Sequence, residues 1–242
     1  MNILTIGNSF SEDATRYLHQ IAKKGGDTLS VANAYIGGCS LETHFRNMLS
    51  NEKKYTLQYN GISTGFQISL DEALLNRSWD LITLQQVSHS SFNYDTYQPY
   101  LNALAEHIRE YCPKAKIFIH QTWAYEENSD KLINVAKYDT AIAMTKDIIK
   151  AYDQAAKDIN AYGIIPSGEL FSKLTKAGIS QIHRDKFHAS KGTGRYALGL
   201  LWYRIICNKS VMENMFLDFD EEISNKERDI IRQTVASFSP IK

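Results

Sequence analysis

The sequence predicts an α/β fold in three layers, with helices on both faces of a parallel sheet. Two observations carry this. Short apolar runs alternate with longer segments of helical periodicity along the 242 residues, the pattern of strand–helix–strand units. One run, Leu81-Ile82-Thr83-Leu84 within Asp80 to Gln85, is dense in apolar residues, as a central strand covered on both sides requires. No composition break or low-complexity tract divides the chain, so one domain over residues 1–242 is expected.

The elements follow in order. Asn2 to Ile6 reads as the first strand, ending at Gly7. Ser11 to Lys24 reads as a helix that Ser11 or Asp13 can cap, with Ala14, Leu18, Ile21 and Ala22 on its apolar face and Gly25-Gly26 as its stop. Leu29 to Ile36 is a second strand closed by Gly37-Gly38, and Leu41 to Met48 a short helix. Tyr55 to Gln58 and Gly65 to Ile68 read as a small hairpin projecting from the main sheet. Leu70 to Leu75 is a short helix with Asp71 and Glu72 in its favoured first turn. After the third strand, Tyr97 to Tyr111 carries the stripe Leu101, Leu104, Ala105 and Ile108, and Pro113 stops it. Lys116 to His120 is the fourth strand, and a loop with Trp123-Ala124-Tyr125 leads into a long helix, Asn134 to Ala161. Gly163 to Pro166 is the fifth strand; Gly192 to Ile206 and Glu221 to Ser237 complete the helices. Right-handed crossovers between five parallel strands place helices on both faces. Such a sheet holds its ligand at the carboxyl ends of the strands, so the residues just after strands are the first candidates.

Bulk composition excludes several classes. Lys and Arg number 27, as do Asp and Glu, and no basic cluster stands out, which argues against a nucleic-acid partner. No run of 18 apolar residues exists, so no membrane span is expected. Ile3 to Ile6 is too short for a secretory core and lacks a basic region before it, which predicts a cytoplasmic location. Asn76-Arg77-Ser78 and Asn208-Lys209-Ser210 fit the glycosylation pattern, which matters only in a secretory compartment. Cys39, Cys112 and Cys207 are odd in number and far apart, the mark of free thiols. No compact His-x-x-x-His spacing with an acidic ligand is present, so no metal is expected. The first loop lacks a phosphate cradle for a flavin, and no organic cofactor is expected.

Two short motifs carry chemistry. Ser9 stands in Gly7-Asn8-Ser9-Phe10-Ser11, between a strand and a helix. Such a turn can present a serine hydroxyl at the sheet edge, near backbone donors of the helix amino terminus; equally, Ser9 or Ser11 can simply cap the helix. His188 and Asp185 stand in Arg184-Asp185-Lys186-Phe187-His188. A histidine can take the serine proton, and an aspartate three residues earlier can loop back to the other ring nitrogen; alone, the pair reads equally as a surface ion pair with a helix cap. Of the other histidines, His19 and His107 fall inside helices, and His44 on the short helix after the glycine turn. His120 ends the fourth strand, and His183 competes with His188 but lacks the preceding aspartate.

With these blocks in this order, the chain resembles the SGNH or GDSL-type serine hydrolases over nearly its whole length, and among them an incompletely characterised branch resembling carbohydrate O-acetylesterases. Gly7-Asn8-Ser9 stands where that family has Gly-Asp-Ser, which implies Ser9 as nucleophile. Gly37-Gly38-Cys39-Ser40 occupies the second block and implies Gly38 as an oxyanion-hole glycine beside Ser9. Asp185-Lys186-Phe187-His188 fits the closing Asp-x-x-His. The third block departs: where the family has Gly-x-Asn, the chain has Val87 and His89, leaving Gln86 or His89 as third oxyanion donor, with Gln86 preferred because its amide needs no particular protonation state. The resemblance implies a flavodoxin-like, three-layer α/β/α sandwich on a five-stranded parallel sheet in the order 2-1-3-4-5.

It also implies hydrolysis of an ester through an acyl-serine, with no metal or cofactor. The expected partner is a small-molecule or carbohydrate ester carrying a short acyl group, contacted by Asn8, His120, Trp123 and Tyr125. A lipid or aryl esterase of the same fold, and a noncatalytic carbohydrate-binding protein, are the alternatives.

Overall fold

In the computed structural model, residues 1–240 are described. The strands are β1 (Asn2–Gly7), β2 (Ser30–Tyr35), β3 (Tyr55–Tyr59), β4 (Ile62–Ile68), β5 (Leu81–Leu84), β6 (Lys116–Gln121) and β7 (Gly163–Pro166). The helices are α1 (Ser9–Thr15), α2 (Leu18–Lys24), α3 (Leu41–Ser50), α4 (Leu70–Leu75), α5 (Tyr100–Tyr111), α6 (Ala141–Asp158), α7 (Ser167–Lys176), α8 (Thr193–Cys207) and α9 (Asn225–Ala236).

β1 lies inside the sheet because both its faces are apolar. Ile3 packs into one core with α1, α2, α7, α8 and α9, while Leu4 and Ile6 enter a second core with α3, α4, α5 and α6. The sheet therefore separates two helical layers. In α8, eleven of fifteen residues are buried, as a helix apolar nearly all round must be; it packs against α1, α2, α7 and α9. Among the described residues no helix is long and apolar enough to cross a membrane.

The sheet overturns the expected five-stranded, all-parallel, flavodoxin-like arrangement in the order 2-1-3-4-5. Among the described residues it has seven strands in the order β4-β3-β2-β1-β5-β6-β7 and mixed topology. β3 pairs antiparallel with β2, and β4 antiparallel with β3, so the hairpin is continuous with the sheet instead of projecting from it. Its turn is also earlier than the sequence reading places it. Asn60 and Gly61 both have positive φ, 51° and 83°, the two-residue turn that matches the twist of adjoining antiparallel strands. A buried polar seam locks the hairpin in place. Asn33 on β2 donates to Gln58 on β3 at 2.8 Å and accepts from Thr5 at 2.6 Å, with the Ser11 hydroxyl 3.0 Å from the same oxygen. Without β3, the outer edge of β2 and this seam would face solvent unpaired.

The helices also differ from those expected. The single helix expected from Ser11 to Lys24 is two, broken at Arg16 and Tyr17, whose side chains reach Asp220 and Lys191. The long helix starts at Ala141, capped by Thr140, after a separate single turn at Lys131–Val135. α7 is absent from the sequence-based element order, in which no helix follows the fifth strand before Gly192; Pro166, the last residue of that strand, occupies the N-cap of α7, ahead of the first helical residue.

Candidate active site

The polypeptide turns from β1 into α1 at Asn8, and Asn8 rather than Ser9 caps the helix. Its side chain accepts from the Phe10 amide at 3.0 Å, while Ser11 donates to the Asn8 carbonyl at 2.7 Å. Ser9 is the first helical residue, half-buried, and its hydroxyl is free of capping. Gly7 is small because a Cβ there would lie 2.6 Å from the Ser11 hydroxyl.

Across from Ser9 sits the loop joining α7 to α8. Nε2 of His188 is 2.7 Å from the Ser9 hydroxyl, and Nδ1 of His188 is 2.7 Å from a carboxylate oxygen of Asp185. The other Asp185 oxygen accepts the His188 amide at 2.9 Å, so one carboxylate holds both ring and backbone. Burial alone would raise the Asp185 carboxyl, but these bonds from His188 outweigh it and hold it below the ordinary aspartate range. Lys186 turns the loop with φ at 76°, a conformation that costs about 1–3 kcal/mol in a non-glycine residue and persists only where surroundings enforce it.

Those surroundings are specific. Asp13, fully buried one helical turn beyond Ser9, accepts from Arg184 at 2.9 Å, from Arg195 at 2.8 Å and from the Ala189 amide at 3.1 Å. Arg184 also donates to the Ala189 carbonyl, so Asp13 grips both ends of the segment carrying Asp185 and His188. From the other side the Trp123 ring nitrogen donates to the Phe187 carbonyl at 2.8 Å, and the Glu126 amide to the Lys186 carbonyl at 2.8 Å. The Phe187 ring lies 3.8 Å from the His188 ring, centre to centre.

The structure thus brings together Ser9, Asp185 and His188. It does not bring Asn8, His120, Trp123 or Tyr125 to a surface where they could touch substrate, since all four are between 0 and 3% exposed. Trp123 is stacked between Phe10 and Phe171, and Tyr125 lies edge-on to Phe187 with its hydroxyl 3.2 Å from Ser88. Both prop the histidine loop from below. The preference for Gln86 as third oxyanion donor is likewise corrected. Its carbonyl accepts the Leu41 and Val87 amides at 3.0 and 2.8 Å, and its NH2 group is directed at Thr96, 3.0 Å from the backbone oxygen and 3.2 Å from the hydroxyl. His89 is exposed on the loop after β5, and Gly38, with φ at 63°, is exposed in the turn after β2.

Sequence reasoning missed a buried chain of polar groups under this site. The Asn8 amide donates to the Cys39 carbonyl at 2.9 Å, Gln85 donates to the Asn8 side-chain oxygen at 2.8 Å, His120 Nδ1 is 2.7 Å from the Gln85 oxygen, and His120 Nε2 is 3.1 Å from the Ser167 hydroxyl. The chain links the ends of β1, β5, β6 and β7 to the glycine turn after β2. Nearby, His44 Nδ1 lies 3.1 Å from the Tyr55 hydroxyl and 3.4 Å from Cys39 Sγ. Burial pushes the Cys39 thiol up to about 12, which removes it as a nucleophile. Among the described residues, no group of three or more His, Cys, Asp or Glu is placed to hold a metal ion.

Burial drives His44 and His120 down to about 3, and His183 down to about 4. An unfolded chain takes up a proton on each below the ordinary value of about 6.5, whereas the folded chain keeps all three neutral well below it. Their contribution to stability is therefore complete above pH 6.5 and lost as pH falls toward 4, at about 4 kcal/mol per pH unit for three protons. Urea unfolding between pH 7 and 5 should show this slope, and His44→Gln should reduce it by about a third. A stability independent of pH over that range would contradict it.

The family model described as "Domain of unknown function (DUF4886)" matches residues 2–238. A crystal structure of a DUF4886 family protein from Bacteroides uniformis is 31% identical, with 98% of this chain and 93% of that one covered and a TM-score of 0.89. A proposed SGNH hydrolase from Slackia heliotrinireducens is 23% identical over 85% of this chain and 98% of its own, with a TM-score of 0.62. Axe2, an acetylxylan esterase from Geobacillus stearothermophilus, is 14% identical over 84% and 92%, with a TM-score of 0.53. No curated protein matches the chain significantly. The chain thus shares its fold with SGNH and GDSL-type hydrolases and belongs to the DUF4886 family.

Proposed function

We propose that the chain hydrolyses short-acyl esters, with Ser9 as nucleophile, His188 as general base and then acid, and Asp185 as the group that orients His188. The observation that carries this reading is the continuous Asp185–His188–Ser9 hydrogen-bonded chain, with 2.7 Å at each link. A carboxylate oxygen can only accept, so His188 Nδ1 holds the proton and Nε2 presents its lone pair to the Ser9 hydroxyl. His188 takes that proton as Oγ attacks the ester carbonyl, then passes it to the departing alcohol. Water, deprotonated by the same nitrogen, releases the acid from the acyl-serine.

The negative oxygen of the tetrahedral intermediate falls to the amides of Ser9 and Gly38, with the His89 ring as the third donor; each well-placed donor contributes about 3 kcal/mol. The Ser9 amide suits this role because the first helical residue has no acceptor within its helix. For the substrate we favour an acetyl ester on a carbohydrate, the bond named for Axe2. The aromatic residues of the loop after β6 do not widen the site for a long acyl chain, because Trp123 and Tyr125 are consumed in supporting the His188 loop.

Two measurements test the reading. A fluorophosphonate probe should label the native protein at Ser9, identified by peptide mass spectrometry, and labelling elsewhere or none would overturn the nucleophile. Acetylated xylo-oligosaccharides should then be hydrolysed in preference to aryl esters of increasing chain length. Activity that climbs with chain length would replace the carbohydrate with a lipid, and tight sugar binding without labelling would make the site a noncatalytic receptor.

A further inference from the structure

We propose that His120, buried and out of reach of any substrate, is a positioning residue that sets the glycine turn against Ser9 through Gln85 and Asn8. The role rests on Ser9 being the nucleophile. It follows from the direction in which the buried polar chain donates. The Cys39 carbonyl can only accept, so the Asn8 NH2 group must point to it, 2.9 Å away. That leaves the Asn8 oxygen facing the Phe10 amide and the Gln85 NH2 group, at 3.0 and 2.8 Å. The Gln85 oxygen then faces His120 Nδ1 at 2.7 Å, so Nδ1 must carry the proton. His120 is fully buried and neutral, so its Nε2 accepts from Ser167, whose hydroxyl is 3.1 Å away.

Every donor in the series points the same way, from Ser167 on α7 through His120, Gln85 and Asn8 to Cys39. The tautomer of one ring therefore decides which end of the Gln85 amide meets Asn8, and so which end of the Asn8 amide meets Cys39. Reversing the ring would turn oxygen against oxygen at Asn8 or at Cys39. Asn8 is both the cap of the helix that begins with Ser9 and the anchor of the turn that bears Gly38. The two amides assigned to the oxyanion thus sit on either side of one side chain whose orientation is dictated two residues away.

The test uses the full chain. Nitrogen-15 NMR of the imidazoles should find His120 in the Nδ1–H form; an Nε2–H ring would overturn the proposal whatever the protein does to esters. Gln85→Glu places a carboxylate oxygen against the Asn8 oxygen, and should slow the maximal rate of Ser9 modification by a fluorophosphonate about 100-fold, the usual cost of an ångström-scale misplacement. The probe's half-saturating concentration should stay unchanged. Ser167→Ala removes only the hydroxyl that supports the tautomer, and serves if Gln85→Glu does not fold; its expected loss in maximal rate is about tenfold. Wild-type maximal rates in folded variants, with or without a lowered melting temperature, would reduce the chain to a structural role. Failure of the wild-type protein to label at Ser9 would instead sink the nucleophile and leave the NMR result standing.

Discussion

Asp185→Asn should lower the turnover number for ester hydrolysis by about 10⁴-fold while leaving the melting temperature nearly unchanged. The size of the effect comes from a proton in the wrong place. In the native loop one Asp185 oxygen accepts the His188 amide and the other accepts the ring Nδ1–H. An asparagine would keep its oxygen on the His188 amide, because only an oxygen can accept there, and would turn its NH2 group to the ring. Nδ1 would then have to be the acceptor, and the ring proton would move to Nε2, directly against Ser9. The base would be present, at the same 2.7 Å, and already protonated. Steady-state kinetics beside a thermal melt checks this; a loss below tenfold would mean that Asp185 does not set the tautomer. Asp185→Ala should be milder for the tautomer and harder on the loop, since the His188 amide loses its acceptor as well.

Asp13→Ala should cost about 3–5 kcal/mol of folding stability, the usual penalty for removing one partner of a buried ion pair. In a chain of this length that lowers the melting temperature by about 6–20 °C. Asp13 is completely buried, and its two oxygens serve three donors from Arg184, Arg195 and Ala189. Removing the carboxylate leaves two guanidinium groups without their shared anion. Arg195 keeps Asp220 at 2.8 Å, which Arg16 also binds, but among the described residues Arg184 pairs with no other carboxylate. Because Arg184 and Ala189 bracket the Asp185–His188 loop, ester hydrolysis should fall with stability. A melting temperature within 2–3 °C of the native value would show that the network relaxes around the loss.

How much of this could be read in the sequence depends on whether a residue's role is local. Asp185 and His188 are three apart, and their hydrogen bonds close within one loop, so the spacing was informative. Asn60-Gly61 was equally local, a two-residue hairpin turn in plain view. The strand after it concealed the hairpin's extent, because Ile62, Thr64 and Phe66 are exposed along with their neighbours and show no buried face. Asp13 read only as a helix cap, since its partners lie 171 to 182 residues further along the chain. Gln85 and Ser167 carry no chemical signature as sequence. An amide or a hydroxyl acquires a direction only from what it touches, and Gln86, one residue along, offers the same amide to a different set of partners. Trp123 is the converse case: an aromatic residue after a strand is expected among the substrate contacts, whereas its ring nitrogen is spent on the Phe187 carbonyl.

The loop that carries His188 is held to α1 by bonds that span most of the polypeptide, and Ser9 meets His188 across 179 residues. Closing a loop of that length has a high entropic cost until the intervening strands are in place. When the first strand and helix leave the ribosome Ser9 is already in them, yet its hydroxyl cannot meet His188 until 179 further residues have been made. A nascent polypeptide therefore displays Ser9 without its proposed base, and the appearance of the proposed esterase activity during refolding would be a clock for the last tertiary contacts to form.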